Sequence, residues 1–358
     1  MASVDRFLQF ALQQGASDIH IATGSPPVLR INGDLTRIRH PALSAAETED
    51  LVLGFLSEDQ RKVFLDTLDL DLSYEVAQIG RFRVNVLKQR RGYDACFRLL
   101  PAGIPTIESL GLPAGLRKLA DFHQGLVLVT GPAGCGKTST LAALVDHVNE
   151  SRAEHILTIE DPIEFIHPRK KSLINQRQVG LHTRTFASAL RAALREDPDV
   201  ILVGELRDLE TMAMAISSAE TGHLVLATLH TASAAKTVDR VLDSFPSEQQ
   251  NQIRAMLADS LRGIVCQQLA KRADGKGRVP IVEILSATPG LATLIREGKT
   301  FQIPTIMQMG RAQGMQSMDQ AIEDLLHSGV IAPQTALRHA FDRRKFARLV
   351  PSEKPTGD

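Results

Sequence analysis

The chain has 358 residues, with 41 Lys/Arg against 41 Asp/Glu and a formal net charge of zero. That length suggests two domains of roughly 150 residues, and 43% apolar with 23% charged residues is a globular composition. Balanced charge, no Trp and only two Tyr argue against a protein whose main task is coating nucleic acid. Three scattered cysteines, Cys96, Cys135 and Cys266, support neither a disulfide framework nor a Cys-x-x-Cys zinc site. The stretch Met1 to Phe10 carries Asp5 and Arg6 without an apolar core, so it reads as no signal peptide. Runs such as Leu126–Val129 fall far short of the roughly 20 residues of a membrane helix, and the expected location is cytoplasmic.

In chain order, residues 1–100 read as a small mixed α/β domain. A helical start (Phe7, Phe10, Ala11) leads to the short strand Asp18–Ala22, and Val28–Gly33 resembles half of a hairpin. Ser44 to Asp66 has helical spacing at Leu51, Val52, Phe55 and Leu56, whereas Arg81–Leu87 alternates with period two. Residues 101–115 are rich in Pro and Gly and read as a linker or hinge. From 116 to 358, the apolar runs Gly125–Thr130, His155–Ile159, Val200–Val203 and His223–Thr228 alternate with amphipathic helices. Such a pattern predicts a mostly parallel sheet covered on both faces. The last hundred residues read as mainly helical, with a capping box at Ser317–Gln320 and Gly329 as a stop.

Gly131-Pro-Ala-Gly-Cys-Gly-Lys-Thr138 matches the phosphate-loop pattern G-x-x-x-x-G-K-[ST] in full, with an apolar run before it and a helical pattern after it. Gly131, Gly134 and Gly136 let backbone amides wrap phosphates at a helix amino terminus. Lys137 is expected on the β and γ phosphates and Thr138 on Mg²⁺. Cys135 lies inside the loop, either as a small filler or as a thiol activated by the helix terminus.

Two acidic stretches follow predicted strands. Asp197–Glu205 reads as a Walker B strand in which Gly204 stands where a metal-directed Asp is usual, leaving Glu205 to hold Mg²⁺ through water. Asp197 and Asp199 read as turn or cap residues. Glu160-Asp-Pro-Ile-Glu164 can supply the carboxylate that activates water. His223 and His230 are too far apart along one strand to share a metal, and His230 at its end can sense a γ phosphate. Arg81, Arg83, Arg90, Arg91 and Arg98 form either a solvated face or a source of arginine fingers.

Taken together, Ala16–His20, the phosphate loop, Ile159–Glu164, Gln176–Gly180, Val203–Glu210 and Ala219–His230 resemble the secretion ATPases of the type II secretion and type IV pilus superfamily. The likeness is strongest to its PilT-type pilus retraction branch. The resemblance implies a PAS-like amino-terminal domain followed by a RecA-like P-loop NTPase domain, assembled as a homohexamer using ATP and Mg²⁺. It implies nucleotide contacts from Gly131, Gly134, Cys135, Gly136, Lys137, Thr138 and Ser139. Glu164 becomes the general base, Glu205 the Walker B glutamate, and His230 with His223 the His-box residues. Arg83 and Arg98 become arginines donated from the small domain, with Arg81 a further one. The implied partner is an inner-membrane pilus platform protein rather than nucleic acid, and the implied place is the inner face of the cytoplasmic membrane. The expected function is powering pilus retraction. Pilus extension, type II secretion and an accessory retraction role are alternatives within the superfamily, and a nucleic-acid-dependent RecA-like ATPase is one outside it. Ala292–Lys299 resembles the retraction motif Ala-Ile-Arg-Asn-Leu-Ile-Arg-Glu, with a different first half at Pro289–Ala292.

Overall fold

The computed structural model describes residues 3–31 and 33–350, and its chain divides into two compact units. The smaller takes in the described residues up to Gly103 together with Pro162–Ile166; the larger takes in Ile104–Asp161 and the described residues from His167 onward.

In the smaller unit, α1 (Asp5–Gln13) precedes β1 (Asp18–Ile21), β2 (Val28–Ile31) and β3 (Asp34–Arg37). Asn32, within the segment read as half of a hairpin, lies outside the described residues. Next come α2 (Ala45–Phe55), α3 (Glu58–Thr67), β4 (Asp69–Val76), β5 (Gly80–Gln89) and β6 (Gly92–Leu99). The six strands form an antiparallel sheet in the order β3-β2-β1-β6-β5-β4. Strand β5 alternates as predicted, burying Phe82, Val84 and Val86, while Arg81, Arg83 and Asn85 take the other face. The helical stretch expected over Ser44–Asp66 is broken at Leu56, because Ser57 and Gln60 make a second capping box besides that of Ser44 and Glu47.

The larger unit begins inside the segment read as a linker. Ile107, Leu112 and Leu116 are buried in its core, so packed structure starts at Ile104 rather than after residue 115. Its elements are α4 (Arg117–Ala120), β7 (Gly125–Thr130), α5 (Lys137–Ser151), β8 (His155–Glu160), β9 (Leu173–Gln178), α6 (Phe186–Ala193) and β10 (Val200–Val203). There follow α7 (Leu209–Glu220), β11 (Leu224–Leu229), α8 (Ala234–Asp243), α9 (Ser247–Ser260), β12 (Leu261–Lys271) and β13 (Arg278–Ser286). The chain then continues through α10 (Pro289–Arg296), α11 (Ile303–Met309), α12 (Met318–His327), α13 (Pro333–His339) and α14 (Arg343–Ala347).

The sheet order is β13-β12-β7-β11-β10-β8-β9, parallel except for the β12–β13 pair. Every residue of β7, β10 and β11 is buried, as expected for strands covered on both faces. The β12–β13 hairpin corrects the expectation of a mainly helical last hundred residues. Its strands are long and apolar, and β12 pairs directly with β7, the strand feeding the phosphate loop. On β13 the buried Glu283 accepts hydrogen bonds from the amides of Ala234 (2.6 Å) and Met318 (3.3 Å), so one carboxylate holds the first turns of α8 and α12. Among the described residues no helix is long and apolar enough to cross a membrane.

Candidate functional site

The phosphate loop joins β7 to α5, and Gly131, Gly134 and Gly136 all have positive φ (141°, 73° and 92°). Gly136 is the N-cap of α5 and supplies no side-chain cap, which leaves the first amides of a 15-residue helix available to an anion. A Cβ on Gly134 would meet open space. The loop therefore fits a phosphate chain.

Strand ends from three further elements bring charge to the same place. Lys137 Nζ donates to the carbonyls of Gly131 (2.9 Å) and Pro132 (3.2 Å) and lies 3.5 Å from His230 Nδ1. His230 stands just beyond β11, with Nε2 3.2 Å from Glu205 Oε1. Because an ammonium can only donate, Nδ1 faces it as the acceptor and Nε2 carries the proton toward Glu205. Glu205 Oε2 in turn lies 2.9 Å from Arg207 Nε, and Arg207 reaches Asp161 at 3.6 Å. A polar chain thus runs from Lys137 through His230, Glu205 and Arg207 to Asp161. Gly204, in place of the usual Asp, allows a close approach: a Cβ there would lie 3.2 Å from the Ile159 carbonyl and 3.4 Å from Glu160 Cα.

Several sequence readings change on these contacts. His223 sits at the opposite end of β11 from His230, its Nδ1 3.0 Å from the Ser218 carbonyl, and is a turn residue rather than a phosphate sensor. Cys135 is buried, and burial pushes its thiol pKa up despite nearby Lys137, which removes the reactive-thiol reading. Asp199 accepts from the His155 amide at 2.8 Å, while Asp197 takes a positive φ in the preceding turn, both as expected. Glu160 is buried and accepts from Thr158 Oγ1 (2.7 Å) and Gln176 Nε2 (3.2 Å).

The remaining predicted residues belong to the smaller unit. Arg83 and Arg98, fifteen apart in sequence, are direct cross-strand neighbours on β5 and β6, and Asp18 faces Arg98 from β1. Arg98 Nε donates to Asp18 at 2.8 Å, and Arg30 reaches the same carboxylate at 4.0 Å. Burial pushes the Asp18 carboxyl up, but the hydrogen bonds from Arg98 and Ser17 outweigh it and hold the group below its usual range. The Arg83 guanidinium has no ion-pair partner among the described residues. Arg81 donates to the carbonyls of Ile163 (3.0 Å) and Glu164 (3.2 Å), so it braces the acidic loop and is not a free finger. The Glu164 charge is also among those stabilising the Arg98 guanidinium.

Sequence reasoning gave no role to Arg207 or Gln267. Arg207 stands beside Glu205, which it did single out, whereas Gln267 lies on the unpredicted hairpin; Asp161 was read within the acidic stretch Glu160–Glu164. From β12, Gln267 Nε2 donates to the Cys135 carbonyl (2.7 Å) and its Oε1 accepts from Thr140 Oγ1 (2.7 Å).

Comparison with known proteins gives the family. The profile of the family described as "Type II/IV secretion system protein" matches residues 1–338. The chain is 50% identical over 314 residues to a twitching motility protein of Neisseria gonorrhoeae, covering 88% of this chain and 84% of that one. It is 48% identical over 337 residues to the type IV pilus retraction ATPase PilT of Pseudomonas aeruginosa, covering 94% and 98%. A crystal structure of the pilus retraction motor PilT with bound ADP superposes with a TM-score of 0.89 at 44% identity, covering 96% of this chain and 98% of that one. The protein is an ATPase with a P-loop nucleotide site. It belongs to the type II/IV secretion system protein family, among the PilT-type members.

Proposed function

We propose that the chain is a cytoplasmic motor that hydrolyses MgATP to power retraction of a type IV pilus. The observation that carries the nucleotide chemistry is the polar chain Lys137–His230–Glu205–Arg207–Asp161 beside the phosphate loop, and likeness to pilus retraction ATPases supports the retraction role. Lys137 is placed to exchange its loop carbonyls for phosphate oxygens. His230, released from Lys137, then reports that exchange to Glu205.

The oxygen-only pair of Thr138 and Glu205 suits Mg²⁺, Thr138 directly and Glu205 through water; the ion would neutralise charge on the phosphates. Glu164 acts as general base on the attacking water. Arg83 and Arg98 act on the nucleotide of a neighbouring subunit in a homohexamer, where they offset transition-state charge. The bracing of the Glu164 backbone by Arg81 supports a fixed place for that base. Residues 101–103, together with the chain crossings at Asp161–Pro162 and Ile166–His167, take the backbone rotation of the cycle. The mechanical partner is an inner-membrane pilus platform protein, with the motor at the inner face of the membrane.

The test is genetic and direct. Deletion should leave cells with surface pili that fail to retract, and a Lys137→Ala chain should not restore retraction. Cells that lose their pili on deletion would instead mark an extension motor.

A further inference from the structure

We infer that Gln267 is a positioning residue that locks one peptide of the phosphate loop with its amide turned toward the nucleotide. The loop abuts β12 so closely that side chains are excluded: a Cβ on Gly131 would lie 2.2 Å from the Gln267 carbonyl, and one on Gly136 2.9 Å from Gln267 Nε2. Two of the loop's glycines therefore answer to β12 as well as to phosphate.

The buried Gln267 side chain makes two bonds of opposite sense. Its Nε2 donates to the Cys135 carbonyl, and its Oε1 accepts from Thr140 on the first turn of α5. In a trans peptide the carbonyl of one residue and the N–H of the next point in opposite directions. Pinning the Cys135 carbonyl onto Gln267 thus aims the Gly136 N–H away from β12, into the loop's anion-binding side. Glycine at 136 tolerates either orientation, so without the pin this peptide can turn over and present a carbonyl oxygen to the phosphates. The Cys135 carbonyl, which can only accept, decides which end of the Gln267 amide faces it; Oε1 then takes the Thr140 hydroxyl proton, and that second bond holds the amide in place.

The inference rests on the ATP reading above, and ADP titration of the native chain tests that reading first. The decisive variant is Gln267→Met, which keeps the side-chain volume and removes both hydrogen bonds. Titration calorimetry with ADP should show binding weakened about tenfold, the scale of one lost hydrogen bond to a charged group. Steady-state assays should show the ATP KM rising by a similar factor with kcat within about threefold, because the contact serves bound substrate and transition state alike. Gln267→Glu should be worse, since it sets a carboxylate against the Cys135 carbonyl. Thr140→Val should weaken ADP binding and Thr140→Ser restore it, and this pair decides the matter should the Gln267 variants not fold. ADP binding by Gln267→Met or Gln267→Glu equal to that of the native chain would overturn the inference and leave Gln267 as packing. Failure of the native chain itself to bind ADP would overturn the functional reading instead.

Discussion

In the larger unit the reactive groups stand at the carboxyl ends of parallel strands: Lys137 after β7, Asp161 after β8, Glu205 after β10 and His230 after β11. Topology gathers them, because parallel neighbours present their ends on one edge of the sheet. In the smaller unit Arg83, Arg98, Asp18 and Arg30 lie side by side across the face of an antiparallel sheet, gathered by cross-strand register. The first arrangement makes a pocket edge that completes much of a phosphate site within one chain. The second is a row of three arginines and one carboxylate, in which Arg98 is paired with Asp18 and Arg83 has no ion-pair partner among the described residues. On the proposed reading, the row of arginines is the half of the machinery offered to another copy's nucleotide.

The sharpest way to break that division is at Glu164, the acidic residue grouped with the smaller unit. Glu164→Gln should bind ADP normally and lose turnover by about 10²–10⁴, read as phosphate release. Near-native turnover would move the base to Glu160. Lys137→Ala probes the pocket side: ADP affinity should fall roughly ten- to a hundredfold, the loss of charge-assisted bonds to phosphate. Unchanged ADP binding would refute the loop geometry.

Smaller effects sharpen the contrast. Arg98→Ala leaves the buried Asp18 carboxylate with a distant Arg30 and the Ser17 hydroxyl, which should cost about 1–2 kcal/mol in denaturant unfolding. Arg83→Ala, whose guanidinium has no ion-pair partner among the described residues, should leave stability nearly unchanged.

The last test concerns His167, in the larger unit. Burial holds its imidazole down to about 4 from an ordinary 6.5, with Asp146 opposing and Lys170 assisting. The unfolded chain takes up that proton first, so the stabilising contribution is complete above pH 6.5 and is lost as pH falls toward 4. The full loss is about 3 kcal/mol. His167→Gln should flatten the unfolding midpoint over that window, and an unaltered pH slope would show that another group carries it.

Much of the phosphate site was legible in the sequence because its residues are local: the phosphate loop, Glu205 and His230 each follow a short, mostly apolar run whose end is easy to see. The smaller unit's row was half legible. Arg83 and Arg98 were singled out, but only register places them side by side, and register is a pairing between distant strands. His223 misled for the same reason that His230 did not: both flank one strand, and only the carboxyl end of a parallel strand faces the site. Gln267 and Glu283 were invisible because they depend on a hairpin hidden in a stretch read as helical. Their roles are contacts made across more than a hundred residues for Gln267, and about fifty and thirty-five for Glu283.

The most direct measurement of the central claim mixes two inactive chains, Arg83→Ala and Lys137→Ala, and follows phosphate release from MgATP. A surface that serves another copy's nucleotide predicts partial recovery of turnover, since mixed rings pair an intact Arg83 with an intact phosphate loop. No recovery over the full range of mixing ratios would contradict the account and return Arg83 to a structural role within its own chain.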